Sequence, residues 1–592
     1  MITPSRTRRR RCAVLLAPLL AVLSGAGAAP AQAASAPATP PAPASSPAPA
    51  ATSPGTTAKW WHNAVIYEIY PRSFQDSDGD GIGDLKGITQ RLDYLAQLGV
   101  DAIWVTPFFP SPNADFGYDV ADYTGVAREY GTIEDWDTLT REAKKRGIRV
   151  LVDLVVNHSS DQHPWFVESR SSRTNPKRDW YVWRDPAPDG GPPTNWQSIF
   201  GGSTWQFDKA TGQYYYHIFL AQQPDLNWAN PQVCAAMHAV MRFWLSHGAS
   251  GFRLDATPYL FEDPAWPNDP DVASGPPVWL KPYNSGLKEG NVALRGLRQV
   301  VDSVPGDAIL LGESSTATIE DLRKVYGAHA DEINLPMNFL YGNLTRLDAK
   351  VFKKTIDEAE TRLDGLPPVF FFSSHDHSRQ WTSFGNGVDN DRIARLTAAM
   401  TLTLRGTALL YYGEEIGMAD LPADLLEGFP LGPKRKVADK RDPERSPMQW
   451  TGEPGAGFTT GAPWLPVAPA ARTVNVARQQ GEAGSMLGWY TQLLALRRTE
   501  PALREGAYVP LDSGNGDVVA YARRLPSGEG VLVLLNMSGR RQALRITGWP
   551  DAAPRAGEVI MTSAPSGAAN VVDPVLEPYA TTLVRLHPAA PG

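Results

Sequence analysis

At 592 residues the chain has room for several domains or one large barrel with additions, at roughly 100–200 residues per domain. Hydrophobic residues make up 42% and charged residues 20%, which excludes wholesale disorder and a multi-span membrane protein. The formal charge is −7, and five arginines (Arg6, Arg8, Arg9, Arg10 and Arg11) fall in an N-terminal stretch that has no acid. The remainder is therefore more acidic still, which excludes nucleic acid or anionic lipid held by bulk charge.

Residues 1–33 read as an export signal. Arg6 to Arg11 form the positive region, Ala13 to Leu23 an apolar stretch too short for a membrane span, and Ala31 to Ala33 a small-residue cleavage site. An exported protein, periplasmic or secreted, with no membrane span in the mature chain is expected. Cys12 would leave with the signal and Cys234 would remain alone, so disulfides do not hold the fold. Residues 34–58 are almost only Ala, Pro, Ser and Thr, the composition of a linker.

Short runs rich in β-branched and aromatic residues then recur between longer amphipathic segments, the pattern of repeated βα units. Strands are expected at Val65–Tyr70, Ala102–Thr106, Val150–Val155, Gly251–Asp255, Ile309–Glu313, Glu332–Leu335, Val369–Ser373 and Ala408–Tyr412. Eight parallel strands close a (β/α)8 TIM barrel, so the fold class is α/β. Ile88, Leu92, Leu95 and Leu98 recur at helical spacing and predict a helix outside the barrel. The gap after the third strand, residues 158–231, is too long for a loop and reads as an inserted subdomain roofing the barrel mouth. The barrel then covers residues 59–157 and 232–504. Alternating strands at Val518–Ala522, Val531–Asn536 and Thr582–Leu586 predict a C-terminal antiparallel β-sandwich over residues 505–592.

In such a barrel the active groups come from the C-terminal ends of several strands. The third strand runs from Asp153 to Asn157 and His158, the fourth ends Arg253-Leu-Asp255, the fifth reaches Glu313, and the seventh leads into Ser374-His375-Asp376. Three carboxylates converging from strands four, five and seven repel one another, a costly arrangement for stability alone. A carboxyl pair can cleave a glycosidic bond when one attacks the anomeric carbon and the other donates a proton to the leaving oxygen. Arg253, two residues before Asp255, shares its side of the strand and can hold that carboxylate ionised.

These segments, with Gln223 to Trp228 between them and Trp60 to Phe74 at the barrel's start, resemble the α-amylase family of glycoside hydrolases, and within it the oligo-1,6-glucosidase and α-glucosidase branch. The resemblance spans Lys59 to the C-terminus. It implies Asp255 as nucleophile, Glu313 as general acid/base and Asp376 as the third carboxylate. It further implies that His158, His375 and Arg253 bind the sugar, that Tyr118 is a stacking platform, and that Asp119 caps the non-reducing end. An arginine near Arg445 to Trp450 pairs with that Asp in the family, and Arg445 is expected in the role here, with Arg441 as the alternative. Such a cap makes the enzyme exo-acting. Ser374 stands where many relatives carry Asn. Ala256 follows the nucleophile, whereas relatives preferring α-1,6 links typically carry Val. A small residue there resembles the α-1,4-preferring members, so maltose-type substrates are expected.

Asp76, Asp78, Asp80 and Asp84 stand at alternate positions with glycines between them, which is the chemistry of an oxygen-ligated calcium. The resemblance implies the same ligands and adds the backbone carbonyl of Ile82; no organic cofactor is expected. No Walker loop, His-Glu-x-x-His or Gly-x-Ser-x-Gly appears. The expected activity is thus a retaining α-glucosidase acting on small α-glucosides, with some transglucosylation. Its alternatives are an isomerase of the trehalose-synthase type, an α-1,6-preferring oligo-glucosidase and a non-catalytic subunit of the same fold. The complete acid set opposes the last of these.

Overall fold

The computed structural model describes residues 59–587, apart from 271, 273, 274, 276, 433–437, 551–556 and 565–572. The export signal and the linker expected at residues 1–58 lie outside the described residues. β1 (Val65–Ile69), β2 (Ala102–Val105) and β3 (Arg149–Val155) come first, then three short strands, β4 (Trp183–Arg184), β5 (Trp205–Asp208) and β6 (Gln213–Tyr216). β7 (Gly251–Asp255), β8 (Ile309–Gly312), β9 (Leu335–Pro336), β10 (Val369–Phe370) and β11 (Thr407–Tyr411) follow. The barrel sheet has the order β10-β11-β1-β2-β3-β7-β8-β9, with parallel ladders throughout.

Two of the expected strands are short. Only Leu335–Pro336 of the sixth pairs, because the Glu332 and Ile333 N–H groups bond back to Tyr326 and Val325, and the Asn334 side chain takes the Leu310 N–H in place of a ladder carbonyl. The seventh ends at Phe370. The helix expected across Ile88 to Leu98 is broken at Arg91 into Leu85–Gln90 and Leu92–Leu98, both burying their leucines against the barrel.

Period-two alternation divides each barrel strand between two environments. Ile66, Trp104, Leu151, Leu311, Phe371 and Leu409 form one apolar cluster inside the barrel, whereas Val65, Tyr67, Ile103, Val105, Val150 and Val152 pack outward under the helices. Continuing the inward register toward the C-terminal ends meets Glu68, Asp153, Arg253 and Asp255. The barrel is thus apolar at its base and charged at its mouth.

The antiparallel sheet β4-β6-β5 sits in the insertion between β3 and β7, with the helix Pro164–Ser171. At the C-terminus β12 (Ala507–Leu511), β13 (Val518–Arg524), β14 (Gly530–Asn536), β15 (Gln542–Ala543), β16 (Gly557–Thr562), β17 (Val575–Leu576) and β18 (Thr581–Leu586) form a five-stranded antiparallel sheet, β12-β13-β14-β18-β16, and a two-stranded one, β15-β17. Val519, Tyr521 and Val533 join the main core, while Val518, Ala520 and Leu532 pack with Leu544 and Leu576 on the opposite face. No described helix is long and apolar enough to cross a membrane.

Candidate active site

At the mouth the fully buried Asp153 accepts hydrogen bonds from Trp104 Nε1 at 2.9 Å, Tyr118 Oη at 3.0 Å and Arg253 Nη1 at 2.9 Å. Arg253 is a hub: Nη1 also meets Asp255 Oδ1 at 2.7 Å, and Nη2 meets Glu313 Oε2 at 2.8 Å. The Ala256 N–H donates to the same Glu313 oxygen at 3.1 Å, from a left-handed backbone with φ 53°. Burial raises the Asp255 carboxyl well above the usual carboxylate range, against the pull of Arg253 and with the like charge of Glu313 adding to it. Two carboxyls thus sit on neighbouring nitrogens of one guanidinium, held close together as a nucleophile and acid pair requires.

Asp376 completes the trio differently. Against the cost of burial, His375, Arg441 and Arg445 hold it well below the usual range. His375 Nε2 lies 3.2 Å from Asp376 Oδ2 and 2.6 Å from Tyr118 Oη, and Nδ1 lies 2.6 Å from Glu68 Oε1. Burial alone would lower its pKa, but Asp376 and Glu68 raise it to about 9. His375 is therefore an imidazolium at neutral pH. It donates to Glu68 and Tyr118, and the Tyr118 hydroxyl in turn donates to Asp153. The Tyr118 ring stacks on His375 with centroids 5.3 Å apart. His158 is the opposite case, lowered to about 3 by burial and hence neutral. Asn157 donates its amide to Asp225 and to the Tyr259 carbonyl, so its oxygen faces His158 Nδ1 at 2.9 Å, while Nε2 lies 3.1 Å from the Tyr118 carbonyl.

The raised pKa of His375 has a sign. The folded chain keeps the proton more tightly than the unfolded one, whose pKa is near 6.5. The stabilisation is complete below pH 6.5 and lost as pH rises through about 9, an effect of about 3 kcal/mol. Denaturant midpoints between pH 6 and 10 should fall more steeply for the parent than for His375→Asn. Parallel profiles would refute the charged assignment.

The structure departs from the sequence expectation at the end-cap. Asp119 is fully buried: its oxygens accept from Ser111 Oγ at 2.8 Å and from the Ala114 and Asp115 N–H groups at 2.9 and 3.0 Å. A short carboxylate with three donors inside its own loop turns to them and leaves the pocket. No Asp119–Arg445 pair forms. Arg445 is also fully buried, with Nε on the His375 carbonyl at 2.8 Å and Nη2 on Asp376 at 3.0 Å, so it braces the third carboxylate from behind. The ion pair across the mouth joins Arg441 Nη2 to Asp115 Oδ1 at 2.5 Å, with Arg441 Nη1 reaching Asp376 Oδ1 at 2.9 Å. Asp439, lowered to about 2 because Arg441 outweighs burial, fixes the guanidinium at 2.6 Å. Gln223 Nε2 holds the other Asp115 oxygen at 3.0 Å. Ser374 caps the turn before His375: its Oγ accepts the Asp376 N–H at 3.1 Å and lies 3.0 Å from His377 Nδ1.

Sequence reasoning missed Glu68, Asp115 and the role of Asp153. Glu68 and Asp153 were detectable as acids at inward positions of otherwise apolar strands. Asp115 carries no such mark.

The expected calcium loop brings together one carboxylate oxygen each from Asp76, Asp78 and Asp84 within 4.8 Å of one another. These hard oxygens suit calcium. Asp80 and Ile82 stand outside that trio, and the Ile82 N–H donates to Asp80 Oδ1 at 2.7 Å. Thr459 donates to Asp76 at 2.5 Å, tying the loop to a distant segment.

Known proteins share this chain's sequence pattern and fold. Residues 68–506 match the family described as alpha amylase, catalytic domain. A probable alpha-glucosidase of Rhizobium meliloti (strain 1021) is 42% identical over 500 residues, covering 81% of this chain and 89% of the relative. An oligo-1,6-glucosidase of Parageobacillus thermoglucosidasius is 36% identical over 520 residues, covering 82% and 92%. Among solved structures, the trehalulose synthase of Pseudomonas mesoacidophila MX-45 superposes with TM-score 0.80 at 36% identity, covering 90% of this chain and 100% of that one. Trehalose-6-phosphate hydrolase of Bacillus licheniformis gives TM-score 0.81 at 32% identity, covering 89% and 100%. With this barrel, these carboxylates and these relatives, the chain belongs to the α-amylase family of glycoside hydrolases, in the branch of the α-glucosidases and oligo-1,6-glucosidases.

Proposed function

We propose that the protein is a retaining, exo-acting α-glucosidase that removes terminal α-1,4-linked glucose from maltose and short malto-oligosaccharides, with some transfer to sugar acceptors. Asp255 attacks the anomeric carbon while Glu313 gives its proton to the leaving oxygen. Glu313 then takes a proton from the water that hydrolyses the glucosyl-enzyme. Asp376, ionised throughout, accepts hydrogen bonds from the ring hydroxyls. The shared guanidinium keeps the two carboxyls close, which favours retention over an inverting arrangement that needs room for water.

The observation that carries exo action is Arg441 spanning Asp115 and Asp376. It ties two loops together on the glycone side and leaves charged groups for a terminal sugar's hydroxyls. The small Ala256 beside the nucleophile supports the α-1,4 preference. The oligo-1,6-glucosidases among the relatives support α-1,6 hydrolysis as second reading, and the trehalulose synthase supports isomerisation. Chromatography of products from maltose, isomaltose, sucrose and trehalose separates the three. Glucose released fastest from maltose is expected, with Asp115→Ala weakening maltose turnover by about 10²-fold through the lost charge-assisted contact. Faster isomaltose cleavage would overturn the linkage preference, and conversion to an isomeric disaccharide would overturn hydrolysis.

We also propose that calcium occupies the Asp76, Asp78 and Asp84 cluster, with Asp80 and the Ile82 carbonyl in support, and serves stability rather than chemistry. Chelation should lower the melting temperature by several degrees, reversed by added calcium, and Asp78→Ala should abolish that response. Equal melting with and without chelator would refute the site. Export through residues 1–33 completes the proposal, with a mature chain beginning at Ala34.

A further inference from the structure

The opposite end of the barrel holds a basic cavity. Where the strands begin, a cavity of about 600 Å³ opens between the segments that precede β1, β2, β10 and β11 and the approach to the C-terminal sheet. In a chain of net charge −7 its wall is basic: Lys59, Arg405, Arg497, Arg498, Arg504 and Arg523 face only Asp101 and Glu505 among its acidic lining residues.

Three of these cations have structural work. Arg497 donates to the Leu402, Leu404 and Gly406 carbonyls at the end of the helix Asn390–Thr403. Arg405 is taken by Glu360 at 2.7 Å and by the Gly365 and Leu366 carbonyls. Lys59 pairs with Asp307 at 2.5 Å. Arg523 is different. It is fully buried, Nε donates to the Gly506 carbonyl at 2.9 Å and Nη1 to Thr403 at 3.0 Å, but Nη2 has no partner among the described residues. Burial and the charge of Arg497 lower Arg523 to about 9, as expected of a cation short of a counter-ion. Arg498 and Arg504 are exposed, and the carboxylate nearest Arg504 is its neighbour Glu505 at 3.5 Å.

We propose that this cavity binds a small phosphate-type dianion, free or as the head of a phosphate ester, on Arg498 and Arg504 at the rim, with the charge of the buried Arg523 behind them. Guanidinium forks match phosphate oxygens in geometry, and a partly enclosed cavity strengthens the attraction beyond that of an open surface. The volume suits a small molecule. A wall so rich in cations, with few acceptors, does not suit a neutral sugar, whose hydroxyls also donate.

The test is calorimetric titration of the whole chain at fixed ionic strength with inorganic phosphate, glycerol phosphate and glycerol. Saturable binding of phosphate, or of glycerol phosphate, with none of glycerol is expected; the first alone points to a free anion and the second to an ester. Arg523→Gln also removes the hydrogen bonds to Gly506 and Thr403 that the fold uses, so the deciding variant is Arg498→Gln with Arg504→Gln. It should bind at least tenfold more weakly while its hydrolysis of 4-nitrophenyl α-glucoside stays unchanged. No saturable binding by the parent, or undiminished binding by the double variant, overturns the proposal.

Discussion

Asp255→Asn will lower kcat for 4-nitrophenyl α-glucoside by about 10⁴-fold or more, because the amide cannot form the covalent intermediate. The variant should still fold, since Asn keeps the shape and an oxygen facing Arg253, now 2.7 Å from Asp255 Oδ1. Glu313→Gln should behave otherwise. Its loss is about 10²–10⁴-fold on maltose but small in the first step with nitrophenol, a leaving group that needs no proton. Azide, which needs no general base, should then rescue turnover and give a glucosyl azide of retained configuration. An Asp255→Asn variant within tenfold of the parent, or an azide product of inverted configuration, would overturn the assignment. The raised pKa of Asp255 also places the acid limb of kcat/KM above the ordinary carboxylate range.

Arg253→Met should destabilise the fold by about 3–5 kcal/mol, because it leaves buried carboxyls without their cation. Asp153 is fully buried and Asp255 nearly so, and Arg253 contacts both. With the guanidinium gone, these acids bind protons more tightly folded than unfolded. The defect should therefore shrink as pH falls from 7.5 to 5. Arg253→Lys should recover part of the stability but little of kcat, since an ammonium cannot bridge three carboxyls in one plane. Denaturation midpoints at both pH values check this. A loss under 1 kcal/mol, or one that is independent of pH, would contradict the hub role.

The barrel was legible because its signals are local. Inward and outward residues alternate along each strand, and β7 begins and ends at the expected Gly251 and Asp255. The sixth strand was less legible because Asn334 replaces a backbone acceptor with its side chain, a choice that propensity does not encode. The chemistry was legible in part for the same reason. Asp255 and Arg253 lie two residues apart on one strand, so period two predicts that they meet. Glu313 follows from the next strand once the sheet order is known.

The end-cap shows where local reasoning stops. Asp115 and Asp119 lie on one short loop, and both are carboxylates four residues apart. Which one meets an arginine depends on which way that loop closes. Ser111 and two backbone N–H groups claim Asp119, while Arg441, brought from 326 positions away, claims Asp115. His375 is similar in part: its neighbour Asp376 does most to keep it charged, and Glu68, 307 residues distant, adds to that. The sequence by itself determined the barrel, an insertion after its third strand and the strand ends that carry the acids, because periodicity and turn chemistry act between near neighbours. Only the tertiary structure decided which carboxyls are pushed up or down by burial and neighbours, which arginine spans the mouth and which guanidinium nitrogen at the barrel's base finds no partner among the described residues. Those outcomes depend on burial and on charges that meet only when the chain has folded.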